Sequence, residues 1–278
     1  MFRKVLLFRN LTDNIPKNIG LYSVGVMLLF LFRIPIDSFQ ILLGLVAFLV
    51  SYSSIYVLND FYDTEDDKTD IEKVLRKPIA QGVVNRSEAL KIFTLFLIPG
   101  ILLSVLLNLS FLCVVGLLIL TNLIYSIPFA RNRKQNLDDT DSVSLKHSII
   151  GFPLVFLMQL QKIFLPWTTS VEVMQFPILF AVGFSLIYII IFRGYKKGWT
   201  IGESIKHTLF PFVVAIIVFL LSISVYPEPI AQASILLYIL AGVTFFRNSH
   251  LTDRRVLLQS PIYIFLGILI LFYVTSNL

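Results

Sequence analysis

The sequence predicts an all-α, polytopic membrane protein with about nine transmembrane helices in one bundle. Composition supports this fold class, because 56% of the 278 residues are hydrophobic and only 14% are charged. The mean hydropathy is +0.83. In addition, apolar stretches of about 20 residues, the length that a helix needs to cross a bilayer, recur along the whole chain. The apolar surroundings are therefore predicted to be a bilayer and not a soluble core.

Each predicted span is a run of apolar residues bounded by polar or charged ones. The first span is short, and Asn108 alone separates the third from the fourth, so the predicted number of spans holds to within about one. We expect residues 1–278 to form a single membrane-embedded domain. The predicted spans cover residues 18–32, 36–59, 89–107, 109–127, 144–163, 171–193, 207–225, 230–246 and 258–275.

The basic residues predict the orientation, because Lys and Arg are retained in short cytoplasmic loops. With a cytoplasmic N-terminus, 21 of the 23 Lys and Arg residues fall on the cytoplasmic side, which leaves only Arg33 and Lys162 outside. The net charge of +6 follows from this topology and does not indicate a nucleic-acid-binding protein. We expect an integral protein of the cell (inner) membrane. The single cysteine, Cys113, excludes an internal disulfide and a cysteine-based metal site.

A cluster of carboxylates directly follows the second span. If the helix continues through it, Asp60, Asp63 and Asp67 lie on one face together with Asn59. Like charges stacked in this way repel one another unless a cation offsets them. Mg²⁺ suits such a site, because it prefers oxygen ligands and often bridges carboxylates to substrate phosphates. The helical spacing therefore favours a metal site.

The alternative interpretation is an acidic helix end that pairs with nearby basic groups. Other acids of the same segment are expected to be solvated charges outside the cluster. The basic groups are Lys68, Lys73 and Arg76, and the other acids are Glu65, Asp66 and Asp70.

Three segments of the N-terminal half form a recognisable set. The first is Asn59-Asp60-x-x-Asp63-x-x-x-Asp67, the second is Arg-Lys-Pro-Ile-Ala-Gln-Gly at 76–82, and the third is Tyr-Ser-Ile-Pro-Phe-Ala-Arg at 125–131. Together they resemble the motifs NDxxDxxxD, RPIxxG and YSxPxxR of the UbiA-like intramembrane prenyltransferases. The first match is complete, and the second has Lys77 inserted between the arginine and the proline.

The resemblance implies a helical bundle that encloses a cytoplasm-facing cavity, where Mg²⁺ held by aspartates binds the diphosphate of an isoprenoid donor. The metal would assist the loss of diphosphate while a prenyl group passes to an aromatic or other small acceptor, or to a lipid. Asp60, Asp63 and Asp67 would be the metal ligands and catalytic residues. Substrate-binding roles are implied for Asn59, Arg76, Lys77, Tyr125 and Arg131. Basic residues at a cytoplasmic helix end also serve as ordinary membrane anchors.

The second half of the chain departs from the family pattern. UbiA-like enzymes usually carry a second aspartate motif, DxxxD, at the cytoplasmic end of the sixth span, and Gly194 and Gly198 stand at those positions here. The local charge has changed sign, because Arg193, Lys196 and Lys197 surround them. These three residues are candidates for direct phosphate binding, and they are also what the topology requires at a cytoplasmic helix end.

Two alternative functions remain open from the sequence. A basic second site favours phosphoribosyl transfer from phosphoribosyl diphosphate to a polyprenyl phosphate, as in the decaprenyl-phosphate phosphoribosyltransferases, which the chain resembles at residues 54–60 and at Lys17-Asn18. The other alternative is a non-catalytic lipid-binding or transport relative. A transporter would have interrupted spans at corresponding positions of two repeats, and the prolines of this chain form no clear repeat.

Overall fold

The computed structural model describes residues 2–5, 7–69, 71–75, 77–126, 152–170, 176–197 and 209–225. The regular structure of these residues is helical throughout, which confirms the all-α class. A short 3₁₀ helix covers Leu165–Thr169. The α-helices, numbered in chain order, are α1 (Phe2–Val5), α2 (Arg9–Leu31), α3 (Ser38–Tyr62), α4 (Thr64–Asp67), α5 (Ile71–Val74), α6 (Arg86–Leu107), α7 (Leu109–Ser126), α8 (Phe152–Phe164), α9 (Ile178–Lys197) and α10 (Leu209–Val225).

The predicted spans correspond to helices wherever the structure describes them. Within the described residues, α3, α6 and α7 are long and apolar enough to cross a membrane. The first predicted span is only the apolar part, Asn18–Phe30, of a longer helix. Helix α2 begins at Arg9 and not at residue 18, because its N-terminal turns are polar and hydropathy does not detect them. The predicted segments 144–151, 230–246 and 258–275 lie outside the described residues.

Polar side chains determine where two of the membrane helices begin. Asp37 precedes α3, and its Oδ1 accepts hydrogen bonds from the backbone N–H groups of Phe39 at 2.9 Å and Gln40 at 3.2 Å. At the start of α6, Asn85 Oδ1 accepts from the N–H of Glu88 at 2.9 Å, and Glu88 Oε2 accepts from the N–H of Asn85 at 3.1 Å. Both devices satisfy N–H groups that lack a partner within the helix.

Asn108 separates α6 from α7, as the sequence predicts. Its backbone is extended, with φ −176° and ψ 169°, so the helical path is interrupted at this one residue. Its side-chain Oδ1 then accepts a hydrogen bond from the N–H of Phe111 at 2.8 Å, which starts the next helix.

The chain divides into two compact units, each built from two stretches of sequence. The first unit comprises Met1–Ile15 and Asp37–Gln161, and the second comprises Pro16–Ile36 and Lys162–Leu278.

In the first unit, α3 packs closely against α6. A Cβ atom added at Gly100 would lie only 2.7 Å from the backbone nitrogen of Ser51, so a glycine is required for this approach. A buried apolar cluster on the same unit joins α3 to the segment before α6, and each large side chain in it contributes about 1.5–3 kcal/mol. The cluster consists of Phe8, Val57, Ile79, Val84, Ala89 and Ile92.

In the second unit, α2 packs against the end of α8 and the 3₁₀ helix. Trp167 is buried, and its Nε1 donates a hydrogen bond to the carbonyl of Gly25 at 3.0 Å. The ring of Phe32 packs edge-on against those of Trp167 and Phe180, with centroid distances of 6.4 and 5.9 Å. These contacts attach α2 and the residue after it to residues far along the chain.

Lys162 lies in the last turn of α8, near the end of the predicted span 144–163. Its side chain is 0% exposed, and its Nζ donates to Oδ1 of Asn18 in α2 at 3.2 Å. That this end of the span lies on the outer side of the membrane stays a prediction. A lysine within a span normally faces the interior of the bundle, and Lys162 does so.

Candidate functional site

The end of α3 and the short helix α4 carry the carboxylate cluster. The N–H of Asp63 donates to the carbonyl of Asn59 at 2.9 Å, and the N–H of Asp67 donates to the carbonyl of Asp63 at 2.8 Å. The Thr64 hydroxyl donates to the carbonyl of Asp60 at 2.9 Å. Because the spacing of four residues is kept across the junction, Asp60, Asp63 and Asp67 share one side of the chain, as the sequence predicts.

Lys77 brings these three carboxylates together. Its Nζ lies 2.6 Å from Asp67 Oδ2, 3.1 Å from Asp60 Oδ1 and 3.8 Å from Asp63 Oδ2. Burial by itself lowers the pKa of Lys77, but the charge of Asp60 and the hydrogen bond to Asp67 outweigh burial, so the pKa is raised. Lys77 is therefore an ammonium cation at neutral pH.

The site is shielded from solvent. The side chains of Asp60 and Asp67 are 2% and 3% exposed, and that of Asp63 is 12% exposed. Burying a carboxylate costs several kcal/mol, whereas an opposite charge about 4 Å away returns about 4 kcal/mol under partly screened conditions. The ammonium of Lys77 therefore offsets part of the cost of burying these carboxylates.

The chemistry of this donor set fits a hard divalent cation. Carboxylate oxygens are the ligands that Mg²⁺ prefers, and the three carboxylates converge on the Lys77 ammonium. Their spacing is nevertheless that of an ammonium complex and not that of Mg²⁺–oxygen bonds of about 2.1 Å. Accordingly, within the described residues no group of three or more acidic, His or Cys side chains is arranged to hold a metal ion. A metal can use these oxygens only if the ammonium withdraws.

A neighbouring helix holds Asn59. The hydroxyl of Ser126, the last residue of α7, forms a short hydrogen bond with Asn59 Oδ1 and a second one with the carbonyl of Asn122 at 2.8 Å. Tyr125, a predicted substrate-binding residue, is half-buried in the same turn. Sequence reasoning did not single out Ser126, although it is the second residue of the segment 125–131 that resembles a family motif.

The exposed charges of the same region pair among themselves. Glu65 Oε2 lies 3.1 Å from Lys68 Nζ, and Glu65 Oε1 lies 3.2 Å from a guanidinium nitrogen of Arg86. The prediction that Glu65 is a solvated charge is confirmed. Lys68 thus neutralises Glu65, and the described lysine that pairs with the buried carboxylates is Lys77.

The other predicted substrate-binding residues carry basic side chains that the structure leaves undescribed. Arg76 and Arg131 lie outside the described residues. The last turn of α9, in the second unit, contains Arg193, Lys196 and Lys197, but their side chains are not among those described. Their roles stay predictions.

Residues 21–136 match the sequence pattern of the UbiA prenyltransferase family. This range contains the complete carboxylate motif together with Lys77 and Ser126. The matched range ends well before Gly194 and Gly198, the positions that the sequence assigns to the second aspartate motif.

Solved UbiA structures have the same fold over nearly the whole chain. The apo form of a UbiA homologue from Aeropyrum pernix K1 has a TM-score of 0.62, covers 96% of this chain and 98% of its own, and is 16% identical. A UbiA homologue from Archaeoglobus fulgidus bound to DMAPP and Mg²⁺ has a TM-score of 0.51, coverages of 98% and 86%, and 16% identity. A digeranylgeranylglyceryl phosphate synthase studied in membranes has a TM-score of 0.57, coverages of 97% and 96%, and 17% identity. No curated protein sequence matches this chain.

The UbiA-like fold and the apolar helices α3, α6 and α7 identify an integral membrane protein. Several side chains on the outer surface of α6 are large, apolar and exposed, as expected for a surface that contacts lipid. They include Leu95, Ile98, Leu102 and Leu106.

Proposed function

We propose that this UbiA-like protein transfers a prenyl group from an isoprenoid diphosphate to an aromatic or other small acceptor, with Mg²⁺ assisting the departure of diphosphate. The observation that carries the proposal is the convergence of Asp60, Asp63 and Asp67 on one cation position. The family match supports prenyl transfer in general. The Archaeoglobus fulgidus homologue bound to DMAPP and Mg²⁺ supports the donor class and the metal.

The carboxylates of Asp60, Asp63 and Asp67 would hold the metal, with Asn59 as a polar neighbour oriented by Ser126. When bound, Mg²⁺ neutralises the negative charge that develops on the leaving diphosphate. Arginine binds phosphate oxygens through two parallel hydrogen bonds, and this is the role that we assign to Arg76 and Arg131. Arg193, Lys196 and Lys197 would bind phosphate where relatives have their second aspartate motif.

The reaction exchanges one bond of the prenyl carbon for another. The bond between that carbon and a diphosphate oxygen breaks, a bond to the acceptor forms, and the acceptor loses a proton. An apolar enclosure protects the electron-poor carbon from water while this happens. We assign part of this role to Leu58, an apolar side chain that is buried just before the carboxylates at the same end of α3.

A transfer assay tests the proposal. The purified protein is incubated with radiolabelled prenyl diphosphates of several lengths and a panel of aromatic acceptors, with and without Mg²⁺. We expect Mg²⁺-dependent product, and a loss of roughly 100-fold or more in Asp63→Asn. Glu65→Gln is the matched control, because Glu65 lies in the same segment but is exposed and pairs with Lys68 and Arg86. Absence of Mg²⁺-dependent turnover, together with unchanged diphosphate binding in Asp63→Asn, would reject the proposal.

The same assay separates the alternative functions. Replacing the substrates with phosphoribosyl diphosphate and a polyprenyl phosphate tests phosphoribosyl transfer. Turnover of this pair alone would assign the protein to that chemistry. Binding of either substrate set without turnover would indicate a non-catalytic lipid-binding or transport protein.

We further propose that the carboxylate end of α3 lies on the cytoplasmic side of the cell membrane. The excess of basic residues in the loops on that side supports this orientation. In a Cys113→Ser background, Gln81→Cys should react with a membrane-impermeant maleimide only after cells are permeabilised. Phe39→Cys, an exposed residue at the opposite end of α3, should react in intact cells. The reverse pattern would place the site outside.

A further inference from the structure

The ammonium group of Lys77 stands where the proposed function requires a metal ion. We propose that Lys77 is a built-in cation of the carboxylate triad, which holds Asp60, Asp63 and Asp67 together in the metal-free protein, withdraws when a divalent cation binds, and then binds the diphosphate. This inference rests on the proposed metal role of the triad. The experiments are chosen so that failure of the inference about Lys77 can be distinguished from failure of the proposed metal role.

The first argument is that the ammonium and a metal ion need the same oxygen atoms. Lys77 Nζ lies 2.6 Å from Asp67 Oδ2 and 3.1 Å from Asp60 Oδ1. Mg²⁺ bonds to carboxylate oxygens at about 2.1 Å, so an ion bound to both oxygens would overlap the ammonium. Two positive charges so close together would also repel each other. Binding of the metal to these two oxygens therefore requires Lys77 to leave them.

The second argument is charge. Three carboxylates attract a divalent cation more strongly than they attract one ammonium, because the metal ion carries twice the charge. A diphosphate adds further negative charge beside the metal. The displaced ammonium is attached next to the site and supplies a positive charge for it. Lys77 would thus neutralise negative charge on the carboxylates in the metal-free protein and on the diphosphate in the substrate-bound protein.

The third argument is that the backbone of Lys77 is anchored whereas its side chain can rotate. The carbonyl of Pro78 accepts a hydrogen bond from the N–H of Val84 at 3.1 Å. Ile79 and Val84 are buried in the apolar cluster that joins this segment to α3. The lysine side chain is a flexible four-carbon stem, so its ammonium can move between triad and diphosphate without rearrangement of the loop.

Metal binding without substrate tests the competition directly. Mn²⁺, a paramagnetic substitute for Mg²⁺, is titrated into the full-length protein and followed by electron paramagnetic resonance. Lys77→Met should bind Mn²⁺ at least roughly tenfold more tightly than the wild type, because a competing positive charge is gone. Lys77→Arg keeps the charge and should stay within about threefold. Lys68→Met is the matched control, because Lys68 is exposed and pairs with Glu65, and it should change nothing.

Each outcome of this titration is decisive. Unchanged or weaker Mn²⁺ binding in Lys77→Met overturns the inference. If that binding is still abolished by Asp63→Asn, the proposed metal site survives without the lysine's role. If neither wild type nor Lys77→Met binds Mn²⁺, the metal role of the triad and the inference both fail. Binding by Lys77→Met alone would be the strongest support for competition.

A second experiment uses the wild type and so does not depend on a variant that folds. An ammonium held by carboxylates reacts slowly with acylating reagents, since it must first lose a proton. Saturating Mg²⁺ should raise the acylation rate of Lys77 several-fold, as measured by mass spectrometry, and inorganic diphosphate should lower it again. Lys68 is the internal control. No rise at Mg²⁺ concentrations that fill the triad would overturn the inference.

Discussion

Two lysines that are shielded from solvent, one in each unit, have different partners in the described part of the chain. Lys77 in the first unit lies within 3.8 Å of three carboxylates, and its side chain is 16% exposed. Lys162 in the second unit is fully buried and donates to the neutral amide oxygen of Asn18 at 3.2 Å. The first unit thus gathers three carboxylates around one ammonium, which costs stability and suits a site that takes up a cation. The contact of Lys162 with Asn18 is of the kind that supports packing inside a membrane bundle.

The largest difference between the two lysines should appear when Lys77 is removed. Without divalent metal, Lys77→Met leaves three buried carboxylates around an apolar group, so the free energy of unfolding should fall by about 3 kcal/mol. Thermal unfolding in detergent with a metal chelator measures this loss. Added Mg²⁺ should stabilise Lys77→Met more than the wild type. A variant as stable as the wild type under chelation would show that the triad needs no counter-charge.

The two units should lose similar stability when close helix packing is disturbed. Alanine at Gly25 would clash with the carbonyl of Ile163, and alanine at Gly100 would clash with Ser51. Each substitution should lower the free energy of unfolding by about 2 kcal/mol. Gly116→Ala is the matched control, because nothing lies within 4 Å of a Cβ at that position, and it should be neutral or stabilising by up to about 1 kcal/mol. Equal effects at all three positions would contradict the packing described.

The contact of Lys77 with the carboxylates can be tested one carboxylate at a time. Asp67→Asn removes the charged partner of Lys77 at 2.6 Å and should destabilise the metal-free protein by about 1 kcal/mol. Asp63→Asn changes the carboxylate farthest from Lys77, at 3.8 Å, and should destabilise it less, because the attraction between the two charges weakens with distance. Equal losses in both variants would mean that distance from Lys77 does not decide how much each carboxylate contributes.

The smallest effect is expected at Lys162. In Lys162→Met, Asn18 loses a hydrogen bond, which costs about 1 kcal/mol, but a charge no longer has to be buried in an apolar interior. The two effects oppose each other, so the melting temperature should fall by no more than about 3 °C. Asn18→Leu combined with Lys162→Met removes both members of this hydrogen bond and should restore that loss. A drop as large as that of Lys77→Met would show that Lys162 neutralises a charge of its own.

Much of the fold could be predicted from the sequence because its signals are local. Hydropathy over about 20 residues located α3, α6 and α7, and the spacing of the aspartates placed them on one side of the chain. The same local signals failed where polar residues continue a membrane helix, as they do in α2 from Arg9 onwards. They also do not reveal the partner of Lys162, which depends on which helix lies opposite.

The candidate site could likewise be predicted only in part from the sequence. Asp60, Asp63 and Asp67 could be found from spacing and from their cost inside a membrane protein. The role of Ser126 could not be found in this way, because its contact with Asn59 joins residues 67 positions apart. Hydroxyl groups near helix ends are common in sequences, and only packing selects the one that reaches the site.

The sequence by itself determined the membrane class, the described apolar helices and the side-by-side placement of the three aspartates, because each depends on residues within one or two helical turns of one another. Only the tertiary structure decided that the aspartates contact Lys77 and that the buried Lys162 contacts Asn18. Lys77 reaches Asp67 across 10 residues, and Lys162 reaches Asn18 across 144. Such partners follow from how the chain folds back on itself, which no local periodicity records.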